Sequence, residues 1–246
     1  MIFFAYGKIG LILLKFLFKN FRLDIKAVVL IKSDKEIVKF AKKKISRNNI
    51  IFWSKSSILD KKLLYFKPEK FFLLWWPFIL KKKLLRIPKN GTINIHPSYL
   101  PYFKGKDPNF WAILNRGPYG VSIHNVNTKI DSGKIIFRKK INKIDSTIDG
   151  KKLYNINLTE LVKLFKNKYK FLRTKKLNGP KLMNKKTKIY KRKDMVKESK
   201  ISLNKTYKAE YLINLLRAKN FPPNNGVTFK KNNKTYSINI KIKEVD

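Results

Sequence analysis

The sequence contains no cysteine and only two histidines, His96 and His124. Without cysteine, the chain can form no disulfide, no thiolate metal site and no cysteine nucleophile. With two histidines, it cannot build a metal site that needs several imidazoles. The lack of disulfide chemistry fits a reducing compartment, so we expect a cytoplasmic protein.

Acidic residues are scarce as well, with 15 Asp and Glu against 58 Lys and Arg, for a formal net charge of +43. An excess of positive charge of this size is typical of proteins that bind nucleic acids or anionic membranes. The lysines, however, are spread over the whole chain rather than gathered in one arm. Together with the heavy use of Lys, Ile, Asn and Phe, this distribution favours the codon bias of an AT-rich genome. Whether the surplus of positive charge reflects codon bias or a binding role, it steers anionic substrates toward the protein.

An uninterrupted apolar run long enough for a membrane helix is also missing. At the N-terminus Lys8 and Lys15 interrupt the hydrophobic stretch, and no small-residue cleavage site follows. We therefore expect no integral membrane segment, but a buried strand followed by a helix. The turn between them holds Gly7 and Gly10 without the third glycine of a dinucleotide fingerprint, which favours a tight turn over a ligand site.

Apolar runs that alternate with helical patterns dominate the first half of the chain. Short β-α-β-α connections of this kind predict an α/β fold with a doubly wound, mostly parallel, Rossmann-like sheet. We expect a catalytic domain over residues 1–175, and a linker with a small C-terminal helix-plus-hairpin subdomain over 176–246. The predicted strands are residues 2–6, 25–31, 49–53, 70–75, 92–95, 121–126 and 134–141.

The remaining segments give more local predictions. Asp107 is expected to cap a helix over 109–115 that begins after Pro108. Residues 175–205 are polar and lysine-rich, and we expect a partly mobile crossing there. A helix at 209–218 is expected to precede two strands, 227–229 and 235–242, joined through Asn232 and Asn233.

Polar side chains suited to acyl transfer occur between residues 92 and 136. Asn94 and His96 lie two residues apart on one predicted strand, so they share a face, and Asp131 follows in an Asp-Ser-Gly turn. The amide can donate to an oxygen that becomes negative, the imidazole can move a proton, and the carboxylate can orient the ring. Taken singly, each residue also fits a structural role: Asn94 as a turn former, His96 as a half-buried histidine and Asp131 as a loop cap.

A linked series of motifs resembles the folate-dependent formyltransferase family. The series consists of NIHPSYLPYFKG at 94–105, PNFWAI at 108–113, GVSIH at 120–124 and IDSGKI at 130–135. That family includes glycinamide ribonucleotide, methionyl-tRNA and amino-sugar formyltransferases. The resemblance implies N10-formyltetrahydrofolate as the formyl donor and a primary amine as the acceptor. It matches Asn94, His96 and Asp131 to the family's invariant catalytic trio.

Binding residues follow from the same resemblance and from the rule that ligands bind at the carboxyl ends of parallel strands. For the folate we expect Trp76, Phe78, Ile79, Lys129 and Ile130. For the acceptor we expect contacts from a second set: Ser98, Tyr102, Lys104, Lys106 and Phe221. Lys104 or Lys106 can meet a diphosphate, although a solvated surface role fits either lysine equally well.

The stretch Trp75-Trp76-Pro77 and the tail at 216–223 look most like the nucleotide-sugar N-formyltransferases. Those enzymes act on dTDP-linked amino-dideoxyhexoses for surface polysaccharides such as lipopolysaccharide O-antigen. The resemblance therefore implies a dTDP-4-amino-4,6-dideoxyglucose-like acceptor and leaves a homodimer open. One departure puts base recognition in doubt, because Asn224 stands where an aromatic residue is expected after the two prolines.

Two other functions remain open. Methionyl-tRNA formylation fits the charge of +43, although only about forty residues follow position 205, fewer than the tRNA-binding domain of those enzymes needs. A basic, non-catalytic nucleic-acid-binding protein on the same fold is the third reading. The presence of Asn94, His96 and Asp131 argues against it.

Overall fold

The computed structural model describes residues 1–54, 57–142, 144–174 and 187–245. Within these ranges the strands are β1 Ile2–Ala5, β2 Ala27–Leu30, β3 Ile50–Phe52, β4 Phe71–Leu74, β5 Thr92–His96, β6 Lys104–Gly105, β7 Tyr119–Asn125, β8 Ile135–Ile141, β9 Ile189–Tyr190, β10 Val227–Lys231 and β11 Lys234–Ile238. The α-helices are α1 Gly7–Asn20, α2 Lys35–Lys42, α3 Ser57–Tyr65, α4 Lys82–Leu85, α5 Pro108–Leu114, α6 Gly150–Thr174, α7 Arg192–Glu198 and α8 Ala209–Lys219.

The central element is a seven-stranded sheet in the order β3-β2-β1-β4-β5-β7-β8. Strands β1 to β5 pair in parallel, and β7 then runs antiparallel to β5. Every residue of β1, β2 and β4 is buried, as expected for apolar strands covered on both faces. The predicted α/β, mostly parallel fold is confirmed.

The turn between β1 and α1 is tight. A Cβ on Gly10 would lie 3.1 Å from both the Ala5 carbonyl carbon and the Leu74 carbonyl oxygen, so glycine lets the helix pack close to the sheet. The amide of Gly7 donates to the Asp34 carboxylate at 2.7 Å. This carboxylate already interacts with the amino end of α1, where a phosphate would bind in a dinucleotide fold. The tight-turn interpretation is the one the structure supports.

The described chain divides into two compact units. The first unit comprises Met1–His96, Ser122–Phe137 and the described part of Leu161–Met183. The second unit comprises Pro97–Val121, Arg138–Glu160 and the described part of Asn184–Asp246. Each has its own buried cluster. The first includes Phe4, Phe71, Leu73, Leu80 and Leu84, and the second includes Phe103, Phe110, Trp111, Leu153 and Leu215.

The second unit contains regular elements within the segment 175–205, for which the sequence predicted a partly mobile crossing. Residues 187–205 contain β9 and α7, and β9 pairs in parallel with β6. Its Tyr190 ring stacks on Trp111 with centroids 4.1 Å apart. The partners of this two-residue strand are distant in sequence, so local periodicity carries no signal for it. Residues 175–186 lie outside the described part of the chain.

The C-terminal helix and hairpin are confirmed. Strands β10 and β11 pair antiparallel through Asn232 and Asn233, whose φ angles are 48° and 59°. Asparagine tolerates this left-handed region, which two-residue hairpin turns require. The second strand ends at Ile238, so its predicted extension to residue 242 is wrong.

Asp107 lies at the expected N-cap position of α5 but does not cap the helix. Its backbone is left-handed, with φ 56°, and its side chain makes no capping hydrogen bond. Instead, one carboxylate oxygen lies 3.0 Å from Nε of Arg192 on α7. Burial raises the pKa of the Asp107 carboxyl, and the guanidinium opposes that rise. The capping prediction was wrong because a distant cation competes for the carboxylate.

No helix in the ranges described is long and apolar enough to cross a membrane.

Candidate active site

Strands β5 and β7 bring three polar side chains together in the first unit. Their antiparallel register pairs Asn94 with His124 and His96 with Ser122. Because side chains two residues apart on a strand share a face, Asn94 and His96 lie on one side of the sheet. His96 is 7% exposed and His124 is 1% exposed, so both imidazoles are shielded from solvent.

Hydrogen bonds orient the Asn94 amide. Nδ1 of His124 lies 2.8 Å from the carbonyl oxygen of Asn125, and a carbonyl can only accept, so Nδ1 carries the proton. In the neutral imidazole Nε2 is then an acceptor, and it lies 3.2 Å from Nδ2 of Asn94. The amide therefore donates one of its two hydrogens to His124. This tautomer is inferred from the bonding pattern.

Asp131 lies between the two imidazoles. One carboxylate oxygen is 3.6 Å from Nε2 of His96, and the other is 3.7 Å from Nε2 of His124. Both separations exceed hydrogen-bond length, and either is an ion pair only when the imidazole is protonated. Nε2 of His96 has no hydrogen-bond partner among the described residues, although it is buried. We call Asn94, His96, His124 and Asp131 the strand-end cluster.

The Asp-Ser-Gly turn is held against the end of β7. Asp131 has φ 43°, a conformation that aspartate adopts more readily than most residues. A Cβ on Gly133 would lie 1.6 Å from the carbonyl oxygen of Asn125, so only glycine fits. The amide of Asn125 in turn donates to the carbonyl of Lys134 at 2.9 Å. These contacts place the Asp131 carboxylate next to the strand carrying His124.

The strand-end cluster combines the groups that acyl transfer needs. An oriented amide is a donor for an oxygen that gains negative charge. An imidazole beside a carboxylate has the groups needed to take up and return a proton. His124 was not predicted as a site residue. Its signal was present, because it is one of two histidines and ends the GVSIH motif, but its pairing with Asn94 required the register of β7.

Aromatic side chains gather at the carboxyl ends of β3 and β4 in the same unit. Trp53 stacks on Phe78, with centroids 5.6 Å apart and planes within 8°, and Trp76 meets both rings edge-on. The indole nitrogen of Trp76 is buried and has no hydrogen-bond partner among the described residues. Phe78 is 42% exposed. We call Trp53, Trp76 and Phe78 the aromatic group.

The other residues expected to bind folate are solvent-exposed. Ile79 follows Phe78 and is exposed over most of its surface. Lys129 and Ile130 lie in the exposed loop before Asp131. Within that loop the Lys129 amide donates to the Asn127 side chain at 2.9 Å, and the Ser132 hydroxyl donates to the Ile130 carbonyl at 2.8 Å. The loop is thus locally ordered by its own hydrogen bonds.

The residues expected to bind the acceptor lie in the second unit. Ser98 is buried and donates to the Tyr102 carbonyl at 3.0 Å. Lys104 is buried in β6, whereas Lys106 is exposed. Phe221 packs edge-on against Tyr154, with centroids 5.3 Å apart. Of the two lysines, Lys106 is the one whose side chain is open to solvent.

Two family models match the chain. The model described as formyl transferase matches residues 31–168, more than half of the sequence. The model described as N-formyltransferase dimerization C-terminal domain matches residues 194–244. The second match covers most of α7, all of α8 and the hairpin.

Curated relatives resemble part of the chain. The bifunctional polymyxin resistance protein ArnA of Wigglesworthia glossinidia brevipalpis is 34% identical over 162 residues, which is 61% of this chain and 24% of that protein. Methionyl-tRNA formyltransferase of Wolbachia pipientis is 42% identical over 108 residues, 44% of this chain and 36% of that protein. The matches therefore span about a quarter to a third of these relatives' length.

Solved structures match nearly the whole chain in fold. A sugar N-formyltransferase from Shewanella sp. has a TM-score of 0.83 at 19% identity, covering 100% of this chain and 98% of that one. An N-formyltransferase from Helicobacter canadensis, solved with folinic acid and dTDP-3-aminofucose, has a TM-score of 0.70 at 22% identity, with coverages of 94% and 84%. A sugar 3N-formyltransferase, solved with dTDP and 5-N-formyl-THF, also has a TM-score of 0.70, at 24% identity, with coverages of 89% and 78%.

At these identities the structural likeness shows the fold, while the family assignment rests on the sequence model that matches residues 31–168. The chain belongs to the formyl transferase family.

Proposed function

We propose that this protein is an N-formyltransferase that transfers a formyl group from N10-formyltetrahydrofolate to the primary amine of a nucleotide-linked amino sugar. The observation that carries the proposal is the strand-end cluster. There, Asp131 lies 3.6 Å from His96, and the Asn94 amide is oriented by His124 at 3.2 Å. Amide, imidazole and carboxylate at strand ends are the groups that formyl transfer to an amine requires.

Each member of the cluster has a distinct role. Asn94 donates its amide hydrogen to the formyl oxygen as negative charge develops there. His96, when protonated, donates to the same oxygen. Asp131 orients the His96 ring and helps remove the proton from the incoming amine. His124 positions Asn94 and does not touch the reacting atoms.

The aromatic group is the place where we expect the folate. Its rings offer faces and edges to a flat heterocycle, and the buried Trp76 indole N–H, without a partner among the described residues, is a donor for it. Phe78 and Ile79 present exposed apolar surface beside it. When bound, the donor supplies the formyl group. Two structures of similar fold were solved with folinic acid or 5-N-formyl-THF, which supports this assignment.

For the acceptor we propose a dTDP-4-amino-4,6-dideoxyglucose-like nucleotide sugar. Support comes from the structures of similar fold that were solved with dTDP or dTDP-3-aminofucose. Lys106, exposed in the loop after β6, is our candidate for the diphosphate. Asn224 still stands where a base-stacking aromatic was expected. We propose the Phe221 ring, which packs against Tyr154, as a base contact instead.

We propose that residues 1–175 form the catalytic domain and that residues 176–246 form a linker with a small C-terminal subdomain. The match to a dimerization domain at 194–244 supports a homodimer formed through the tail. We further propose that the protein is cytoplasmic and that its product enters surface polysaccharide synthesis, such as that of lipopolysaccharide O-antigen.

The decisive experiment is a direct acceptor panel. The purified protein is given N10-formyltetrahydrofolate together with dTDP- and UDP-linked amino sugars or charged methionyl-tRNA, and formylated products are identified by mass spectrometry. We expect formylation of a dTDP-amino sugar. Formylation of methionyl-tRNA alone would overturn the acceptor assignment, and no formylation of any amine would overturn the proposed function.

Methionyl-tRNA is the second candidate, favoured by the curated relatives that carry that name and by the charge of +43. Salt dependence separates it from the first. A protein neutralising six to ten phosphates should lose roughly 10³–10⁵ in affinity between 50 and 200 mM salt. The activity of a sugar enzyme should fall far less over the same range.

A further inference from the structure

In the second unit, the end of the loop at 97–107 is attached to a short segment, residues 189–192, which we call the clamp. Strands β6 and β9 pair in parallel and place Gly105 opposite Tyr190. A Cβ on Gly105 would lie 2.2 Å from the Tyr190 carbonyl oxygen, so the two backbones are in direct contact. The same carbonyl accepts a hydrogen bond from the Lys106 amide at 2.9 Å. The clamp therefore fixes the backbone of the loop at consecutive residues.

An ion pair extends this attachment to the last residue of the loop. The Asp107 carboxylate lies 3.0 Å from Nε of Arg192 in the clamp, and the Asp107 side chain is only 14% exposed. Lys106 and Lys219 add smaller electrostatic attractions to the same carboxylate. A carboxylate buried to this degree is costly to keep charged without a cation beside it. The position of Asp107 therefore depends on Arg192.

The loop needs such an attachment because its backbone is strained. Phe103 and Asp107 have φ angles of 53° and 56°, in the left-handed region that only glycine enters freely. Gly105, between them, has φ 92°. Strained backbone conformations of this kind persist only where surrounding contacts hold them in place. The clamp supplies these contacts at Gly105 and Asp107.

The clamp is itself anchored in the core of the second unit. The Tyr190 ring stacks on Trp111 of α5, with centroids 4.1 Å apart and planes within 24°. On another side, its centroid lies 6.4 Å from that of Phe103 in the loop. Phe103 and Trp111 both belong to the buried cluster of this unit, against which Tyr190 packs. The clamp is therefore a firm support for the loop.

We propose that the clamp holds the loop at 97–107 in the conformation that receives the acceptor, and that Arg192 is a positioning residue that acts through Asp107. The inference rests on the proposed function, in which this loop carries all but one of the residues expected to bind the acceptor. Without the ion pair, Asp107 leaves its left-handed conformation and the neighbouring Lys106 is displaced. Affinity for the acceptor then falls, while the reacting groups of the strand-end cluster are unchanged.

The test is a double-mutant cycle on the full chain, in steady-state formylation of dTDP-4-amino-4,6-dideoxyglucose at saturating N10-formyltetrahydrofolate. Arg192→Ala and Asp107→Asn should each raise KM for the nucleotide sugar about three- to tenfold and leave kcat within about twofold, in the range for loss of a coupled contact. The double variant should have a KM no higher than either single variant, because both exchanges release the same attachment. Lys193→Ala removes an adjacent exposed charge from α7 and should leave KM unchanged.

Three results of the cycle would overturn the positioning role and leave the proposed function intact. The first is a KM that rises multiplicatively in the double variant, which would mean that Arg192 contacts the acceptor directly. The second is an unchanged KM in either single variant. The third is an equal rise in KM in the Lys193 variant, which would mean that only the overall positive charge matters.

Calorimetry with 5-formyltetrahydrofolate is the control for folding, because we expect the folate on the aromatic group of the first unit. Its affinity should be the same in all variants and in the wild type. A loss of folate affinity in the Arg192 and Asp107 variants would indicate a general structural role and would contradict the inference. If the wild-type protein does not formylate the nucleotide sugar, the proposed acceptor is overturned together with the inference.

Discussion

The strand-end cluster and the loop at 97–107, which we call the proline loop, use their polar side chains differently. In the cluster, Asn94, His96 and Asp131 contact one another or His124, and the buried Nε2 of His96 has no hydrogen-bond partner in the described chain. In the proline loop, the Ser98 hydroxyl is bonded to the Tyr102 carbonyl and the Asp107 carboxylate is paired with Arg192.

The contrast follows from how each region is built. Regular strands satisfy their own backbone groups, so the side chains of Asn94 and His96 on β5 are left for chemistry. Asp131 is the exception, because it joins the cluster from a turn. An irregular loop has fewer backbone bonds of its own, and its polar side chains help to hold its shape. We therefore expect function to be concentrated in the cluster, and Ser98 and Asp107 of the proline loop to be structural. The predictions below test that division.

The largest effect should come from Asp131→Asn. The exchange preserves shape and tolerates the left-handed backbone, but removes the charge facing both histidines. We expect kcat to fall by about 10²–10⁴, the range for loss of general acid–base assistance. Steady-state formylation at saturating donor and acceptor measures it. A kcat within threefold of wild type would show that Asp131 belongs with the structural residues.

The exchange His124→Phe tests positioning within the cluster. Without the acceptor nitrogen 3.2 Å away, the Asn94 amide loses its fixed orientation. We expect kcat to fall by about 10- to 100-fold with little change in KM, since a small misplacement of a reacting group is costly. His124→Gln, which keeps an acceptor, should recover part of the loss. Equal rates for the Phe and Gln variants would contradict the positioning role.

The sequence predicted the cluster better than the proline loop, and the reason is physical. Asn94 and His96 share a face because they are two residues apart, and Asp131 follows from a compact turn motif, so both signals are local. His124 was missed as a site residue because its role depends on pairing across a thirty-residue gap. Likewise, the pairing of Asp107 with Arg192 joins residues far apart in sequence. Local helix-cap rules predicted instead that Asp107 caps α5.

The same distinction between local and long-range signals explains which strands could be predicted from the sequence. Strands β1, β2 and β4 are buried on both faces, so each consists of consecutive apolar residues. These apolar runs predicted the three strands. No comparable pattern marks β9, whose two residues are stabilised by β6 and by the stacking of Tyr190 on Trp111. Elements that depend on a distant partner lack a periodic signal of their own.

The exchange Gly133→Ala tests the turn that holds Asp131. The added Cβ would approach the Asn125 carbonyl oxygen to 1.6 Å, so the turn must shift. We expect a loss of about 2–3 kcal/mol in unfolding free energy, typical of overpacking, measured by urea denaturation. Gly91→Ala is the control for backbone strain without a clash, because Gly91 has φ 78° and open space around it, whereas Gly133 has no positive φ; it should lose only about 1 kcal/mol. Equal losses would contradict the role of the close approach to Asn125 at Gly133.

The smallest expected effects are those of replacing two lysines of the proline loop, Lys104 and Lys106, and they differ in kind. Lys106 is exposed and Lys104 is buried. Lys106→Ala should raise KM for the nucleotide sugar about two- to fivefold without changing Tm, as expected for one exposed ion contact. Lys104→Ala should instead lower the unfolding free energy by about 1 kcal/mol, because the buried stem loses its packing. An unchanged KM in the Lys106 variant would remove this lysine from the site.

The central claim is that the strand-end cluster stabilises charge on the transferred formyl oxygen. Single-turnover formylation by Asn94→Ala and His96→Ala, with folate binding verified by calorimetry, tests it most directly. The account predicts a rate reduced by about 10²–10³ in each variant, equivalent to about 2.7–4 kcal/mol in the barrier, with folate still bound. Near wild-type rates in either variant with folate bound would contradict it.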